Sequence, residues 1–197
     1  MRVVLATANP GKQREFAALL ASRGFELMLQ SGLGIAAIDE TGQNFEENAL
    51  LKARHAAAQA RLPALADDSG LEVDALDGRP GVRSARFAGP GASDEQNNAA
   101  LLAALAGVPP ERRTARYRCV LALVRSATDP CPLIAQGSWE GRIALAPAGT
   151  GGFGYDPYFI PEGFDCTAAQ LSPALKNALS HRGAALRELI VRLDTCI

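Results

Sequence analysis

Apolar and polar positions along the chain switch between a period of two and a period near 3.6, and the switches mark out the elements. Val3 to Thr7 reads as a buried strand, and after the turn Ala8-Asn9-Pro10-Gly11 the spacing of Phe16, Leu19 and Leu20 is helical. Phe25, Leu27 and Leu29 alternate with Glu26, Met28 and Gln30, which predicts a second strand. Asn44 to Arg61 is rich in helix formers and sets Phe45, Ala49, Ala53, Ala56 and Ala57 on one stripe, so a helix is expected there. Pro63 to Ala66 and Leu71 to Leu76 read as strands on either side of a turn, Asp67-Asp68-Ser69-Gly70. Ser93 and Gln96 form a capping-box signature ahead of a helix over Ala99 to Ala106. Ala115, Tyr117, Cys119, Leu121 and Leu123 predict a long strand. Leu133 to Trp139 and Arg142 to Leu145 are its expected antiparallel partners, joined at Glu140-Gly141. Pro173 follows Ser172 as a first helical residue follows its cap, and Leu186, Leu189, Ile190 and Leu193 predict a closing amphipathic helix. Strands interleaved with helices in this way predict an α/β fold with a mixed sheet.

Composition narrows the class. A chain of 197 residues, 48% of them apolar, can bury one core, or two lobes sharing a sheet, without disulfides. A formal net charge of -1 supplies no basic field for tracking nucleic acid, so any anion site has to be local. Cys119, Cys131, Cys166 and Cys196 show no C-x-x-C spacing and are expected to be reduced, mostly buried thiols. The apolar run at Met1 to Leu5 is too short for a membrane span, and a cytoplasmic protein away from membranes is the expectation.

Five segments carry candidate chemistry. Thr7-Ala8-Asn9-Pro10-Gly11-Lys12 lies between a strand and a helix, where backbone N–H groups, the helix dipole and Lys12 favour a phosphate; an ordinary strand-to-helix turn accounts for the same residues. It is not a Walker A loop, because Gln13 stands where a Ser or Thr would hold magnesium. In Asp67-Asp68-Ser69-Gly70 strand alternation sends adjacent carboxylates to opposite faces, so one is expected to face a site and the other outward; a hard cation or a solvated turn fits the pattern. Glu40, ahead of the predicted helix that carries Lys52, is a second metal ligand or a helix-dipole partner. Gly149 to Pro157 packs four glycines, Phe153, Tyr155 and Asp156 into nine residues, a loop able to approach a ligand and stack on a base, and His181 with Arg182 offers donors for a purine O6.

Taken in order, these segments, together with Glu15, Phe45-Glu46-Glu47-Asn48-Ala49, Lys52-Ala53, Gly81-Val82-Arg83-Ser84-Ala85-Arg86 and Ser180-His181-Arg182, resemble the inosine triphosphate pyrophosphatase family, the XTP/dITP diphosphatases, over nearly the whole chain, and residues 1–197 are expected to form a single domain of that kind. The resemblance implies an elongated mixed β-sheet flanked by helices, two lobes with a central cleft, and a homodimer. It also implies magnesium-dependent hydrolysis of ITP, dITP and XTP to monophosphate and pyrophosphate. By position, Asp68 would be general base and metal ligand and Glu40 the second metal ligand. Thr7, Ala8, Asn9, Pro10, Gly11, Lys12, Lys52, Ser69 and Lys176 would contact phosphates and sugar, and Phe153, Gly154, Tyr155, Asp156, His181 and Arg182 would hold the base. The chain departs from the family pattern at Gln170, where an acid is expected, and at Ser172-Pro173-Ala174-Leu175, in place of an acid-rich stretch. The alternatives are a pyrophosphatase for pyrimidine or methylated nucleotides and a module that binds nucleotides without cutting them.

Overall fold

A computed structural model describes residues 1–20 and 24–195. Five α-helices and six strands are assigned among them, the strands forming one sheet in the order β2-β1-β3-β4-β5-β6. β1 (Arg2–Leu5) lies parallel to β2 (Glu26–Leu29), with Val3 opposite Leu27, and parallel to β3 (Ala64–Val73), with Val4 opposite Ala64. β4 (Thr114–Val124) separates β3 from β5 (Leu133–Ile143), and the short β6 (Phe159–Pro161) pairs antiparallel with β5. The sheet is therefore mixed, as expected.

The helices carry the caps the sequence predicts, although the first begins inside the expected turn, and the helix expected over Ala99 to Ala106 begins at Asp94 and ends at Ala104. α1 (Pro10–Leu20) has proline at its first position and Asn9 Oδ1 accepting from the Lys12 N–H at 3.0 Å. In α2 (Phe45–Ala60) Asn44 caps the Glu47 N–H, and in α3 (Asp94–Ala104) Ser93 and Gln96 complete the reciprocal capping box. α4 (Pro173–Leu179) is capped by Ser172, and α5 (His181–Thr195) closes the described chain. None of the described helices is long and apolar enough to cross a membrane.

Two strand expectations are overturned. Asp67-Asp68-Ser69-Gly70 is no turn: β3 runs straight through it, with Ala64 to Asp68 all buried. Turn propensity loses because β3 is flanked by β1 and β4, and because the two carboxylates find lysine partners inside the fold. Nor is Glu140-Gly141 a hairpin. β5 continues to Ile143, and Gly141 pairs with Pro161; a Cβ there would stand 2.3 Å from the Ile160 carbonyl and 2.7 Å from the Phe159 ring. Glycine inside this strand marks a close backbone approach.

The chain divides into two compact units. The first comprises Met1–Asp68, Cys119–Gly137 and the chain from Gly183 onward; the second comprises Ser69–Arg118 and Ser138–Arg182. The core of the first is built from Val3, Leu5, Phe16, Leu20, Leu65, Leu121 and Leu186, all essentially inaccessible. Each such side chain contributes about 1.5–3 kcal/mol through burial. The second has its own core of Leu71, Leu101, Leu105 and Tyr117 with Trp139 and Phe159, whose rings meet Phe159 at centroid distances of 4.7 Å from Tyr117 and 5.4 Å from Trp139. Of the cysteines, Cys119 is buried, but Cys131 is exposed and Cys166 half-buried, all three as free thiols, so the expectation of mostly buried thiols fails for the described residues; Cys196 lies outside them.

Candidate active site

Within the first unit, charged groups converge on the middle of β3. Lys52, from α2, places its ammonium 2.7 Å from Glu40 Oε1 and 2.9 Å from Asp68 Oδ1. The other carboxylate, Asp67, takes the ammonium of Lys12 at 3.1 Å. Strand alternation does send the two aspartates to different partners, but the outward placement expected of Asp67 is wrong: its side chain is wholly buried. Pairing with Lys12 makes that burial tolerable, since an ionised carboxylate is stable inside only with a partner.

The electrostatics of the cluster favour a cation between Glu40 and Asp68. Burial works against the Lys52 ammonium, yet Asp68, then Asp67 and Glu40, outweigh it and hold its pKa above the ordinary value. Burial pushes the Asp68 carboxyl up, against the pull of Lys52 and Lys12 and with a contribution from Glu40. The ammonium stays charged, and burial makes the Asp68 carboxylate a better proton acceptor than it is in water. Because one nitrogen touches both, Glu40 Oε1 and Asp68 Oδ1 are no more than about 5.6 Å apart. No group of three or more His, Cys, Asp or Glu suited to a metal occurs among the described residues. Two carboxylates already sharing one cation nevertheless fit magnesium, which takes one or two carboxylates and fills its remaining positions with water and phosphate oxygens.

The segment Thr7 to Lys12 is organised by its own side chains: the Asn9 N–H donates to Thr7 Oγ1 at 3.2 Å, and Gln13 Nε2 donates to the Thr7 carbonyl at 3.0 Å. Thr7 and Gly11 are buried, whereas Ala8, Asn9 and Pro10 are exposed at the N-terminus of α1, where the helix dipole favours an anion.

The second unit gathers the remaining predicted residues. Asp156 is buried and heavily engaged: Oδ2 accepts from Lys176 Nζ at 2.6 Å and from the Phe153 N–H at 2.9 Å, and Oδ1 accepts from the Tyr117 hydroxyl at 3.2 Å. Gly152 has φ +73°, and a Cβ on it would fall 1.9 Å from Asp156 Oδ2, so the loop closes on Asp156 only with glycine there. Phe153 is half-buried, with Lys176 Nζ 4.9 Å and Arg182 Cζ 5.7 Å from its ring centroid. Arg182, almost fully buried, donates to Ser69 Oγ at 2.9 Å, and the His181 ring stacks on Tyr117 with centroids 4.6 Å apart. Gly154 is gripped by α3 at both backbone groups: its N–H donates to Asp94 Oδ2 at 2.7 Å and its carbonyl accepts from Asn98 Nδ2 at 2.9 Å.

Two expectations change here. Tyr155 offers no stacking face: its ring belongs to the core, and its hydroxyl donates to the Ser84 carbonyl at 2.8 Å. Burial also pushes that phenol's pKa well up, with Asp94 adding to the shift. Lys176, expected at phosphates and sugar, is buried against Asp156 and Phe153, among the residues expected to hold the base. Sequence reasoning missed Tyr117, Asn48, Asp94 and Asn98. The apolar alternation of β4 marks Tyr117 only as core, and the helical residues carry no local signal of a partner so distant in sequence.

The model of the Ham1 family matches residues 3–192. A dITP/XTP pyrophosphatase of Thioalkalivibrio sulfidiphilus is 58% identical, over 98% of this chain and 99% of that protein, and one of Vibrio parahaemolyticus is 54% identical, over 98% and 96%. The solved structure of a HAM1 protein from Coxiella burnetii superposes with a TM-score of 0.90 at 46% identity, covering 99% of each chain. A fold of this order, built from these residues and matched from end to end by relatives of such identity, places the chain in the Ham1 family.

Proposed function

We propose that this protein is a nucleoside triphosphate pyrophosphatase of the nucleotide pool, converting dITP, ITP and XTP to the monophosphate and pyrophosphate. The observation that carries the reading is the ammonium of Lys52 shared by Glu40 and Asp68, with Lys12 on the neighbouring Asp67. Three carboxylates and two ammoniums around one strand suit a triphosphate with its counter-cation better than a bare anion, which would meet an excess of negative charge. The name dITP/XTP pyrophosphatase, carried by relatives more than half identical over nearly their full length, supports the same reaction.

Glu40 and Asp68 would hold magnesium, which when bound neutralises phosphate charge and favours the leaving pyrophosphate. Thr7 to Lys12 receives phosphate oxygens at the start of α1, and Lys12 and Lys52 offset their charge. Asp68 orients a water molecule and takes its proton as the water oxygen attacks the α-phosphorus; the bond from that phosphorus to the α,β-bridging oxygen breaks, and pyrophosphate leaves. Phe153 supplies a face for the base, and His181 and Arg182 supply N–H donors toward a 6-oxo group. An adenine amino group would turn a donor toward those donors, a mismatch worth several kcal/mol, on the order of 10²–10⁴ in kcat/KM. We further propose that the protein works as a homodimer in the cytoplasm, which size-exclusion chromatography with light scattering and cell fractionation test directly.

The deciding experiment incubates the protein with ITP and magnesium and identifies the products. IMP with pyrophosphate supports the assignment; IDP with phosphate, or no turnover with any of ITP, XTP and dITP, overturns it. The same panel extended to GTP, ATP, pyrimidine and methylated nucleotides fixes the base class.

A further inference from the structure

Asn48 carries none of the charge in the β3 cluster, yet it is the polar member of the buried face of α2, among Phe45, Ala49, Ala53, Ala56 and Ala57. It is wholly inaccessible to solvent. A buried amide is tolerated only when its two ends are bonded, and both ends here have well-defined partners. Oδ1 accepts the Gly42 N–H at 2.8 Å, and Nδ2 donates to Asp68 Oδ2 at 3.2 Å. The two oxygens of Asp68 are thereby assigned to different donors, Oδ1 to Lys52 and Oδ2 to Asn48, which fixes the rotation of the carboxylate. At its other end the amide holds the loop that carries Glu40, two residues before Gly42. That loop lies hard against α2: a Cβ on Gly42 would stand 2.7 Å from Asn48 Oδ1 and 2.7 Å from Glu47 Cβ.

We propose that Asn48 is a positioning residue that sets Glu40 and Asp68 relative to each other so that both reach one divalent cation. The proposal rests on the reading that these two carboxylates hold the metal. An amide suits the role because it presents an acceptor to a backbone N–H and a donor to a carboxylate at once, and no other uncharged side chain of that length does both in fixed directions. Groups that orient metal ligands typically change metal affinity about 10–100-fold when removed.

The experiment measures Mn2+ binding to the nucleotide-free protein by electron paramagnetic resonance, and the Mg2+ concentration for half-maximal dITP hydrolysis, in wild type, Asn48→Ala, Gly42→Ala and the double variant. Glu40→Gln and Asp68→Asn serve as metal-ligand controls in the binding measurement. The expected result is a rise in the Mn2+ dissociation constant of about tenfold or more for each single variant, with the double variant little worse than either, because both break one tether. The Mg2+ requirement should rise in parallel, while kcat at saturating metal recovers to within a few-fold of wild type. Unchanged Mn2+ affinity in folded Asn48→Ala and Gly42→Ala, alongside weakened binding in Glu40→Gln and Asp68→Asn, overturns the positioning role and leaves the metal site standing. Unchanged affinity in the two ligand variants removes the metal site itself. Should Asn48→Ala fail to fold, Gly42→Ala decides alone, since it disturbs the tether from the surface loop.

Discussion

Removing the Lys52 ammonium while keeping its stem, as in Lys52→Met, tests whether one cation is what lets Glu40 and Asp68 coexist. Both carboxylate oxygens bond the same nitrogen, so without it they face each other across no more than about 5.6 Å, with side-chain exposures of 24% for Glu40 and 6% for Asp68. At an effective dielectric constant of about 20, two negative charges at that separation repel by about 3 kcal/mol. Breaking a buried pair from one side costs about 3–5 kcal/mol in general, and the partial exposure of Glu40 puts this case near the lower end. Protonation of Asp68, which burial already favours, caps the loss. Magnesium should reverse the defect. A ligand present at about 100 times its dissociation constant stabilises the folded state by about 2.7 kcal/mol. In the variant the ion meets two carboxylates that have lost their common ammonium, whereas in wild type it has to share them with that ammonium. Urea unfolding followed by far-ultraviolet circular dichroism, which reports on both units, should show Lys52→Met about 3 kcal/mol less stable than wild type in EDTA, with most of the deficit restored by saturating magnesium. A variant as stable as wild type in EDTA would refute the electrostatic reasoning. Equal stabilisation of the two proteins by magnesium would show that the ion binds somewhere other than between these carboxylates.

Other outcomes follow from the same geometry. Asp68→Asn should fold and lose turnover of dITP by about 10²-fold or more, as expected when a general base is removed, which single-turnover kinetics will measure. Asp94→Ala should release the Gly154 N–H and raise KM for dITP more than it lowers kcat, because it loosens a loop assigned to the base and leaves β3 untouched. Gly141→Ala should lower stability by about 1–3 kcal/mol, since its Cβ would stand 2.3 Å from the Ile160 carbonyl and force β6 away, a change visible as a reduced urea midpoint. Asp129 is held at a pKa of about 2 by the Arg125 side chain and by the backbone N–H groups of Arg125 and Cys131. A folded pKa below the ordinary 3.8 means stability that is present above that value and lost as pH falls toward about 2. With Arg125 largely exposed and its contribution screened, the expected worth is about 1–2 kcal/mol, and Asp129→Asn should show a correspondingly shallower loss of stability between pH 4 and pH 2 in acid unfolding.

Helix starts were legible because their determinants are local. Asn44, Ser93 with Gln96, and Ser172 before Pro173 act on N–H groups two or three residues away, so the sequence displays both halves of each interaction. The alternation of β2 and β4 was legible for the same reason. What could not be read are the places where a residue answers to a partner elsewhere in the chain. Gly141 looks like a turn former until Phe159 and Ile160 press on it, and Tyr155 looks like a stacking surface until its hydroxyl finds Ser84. The candidate site residues were drawn from the order of motifs, but their grouping in the fold was not legible. Nothing near Lys176 in sequence predicts that it pairs with Asp156, twenty positions back.

The clearest case is Asp67-Asp68-Ser69-Gly70. Two adjacent acids beside serine and glycine are, by local chemistry, a turn exposed to water. They become strand because α1 brings Lys12 to one face and α2 brings Lys52 and Asn48 to the other, so that each carboxylate is bonded where solvent would otherwise be needed. Held in a strand with neighbours on both sides, Asp68 cannot turn away from Glu40 as it could in a surface turn, so the carboxylate spacing proposed for a cation is set by the fold itself. The feature that defeats local prediction is thus the one that preorganises the proposed site: burial that would expel unpaired acids is stable only with the lysines, and those lysines carry the charge that a bound triphosphate would need.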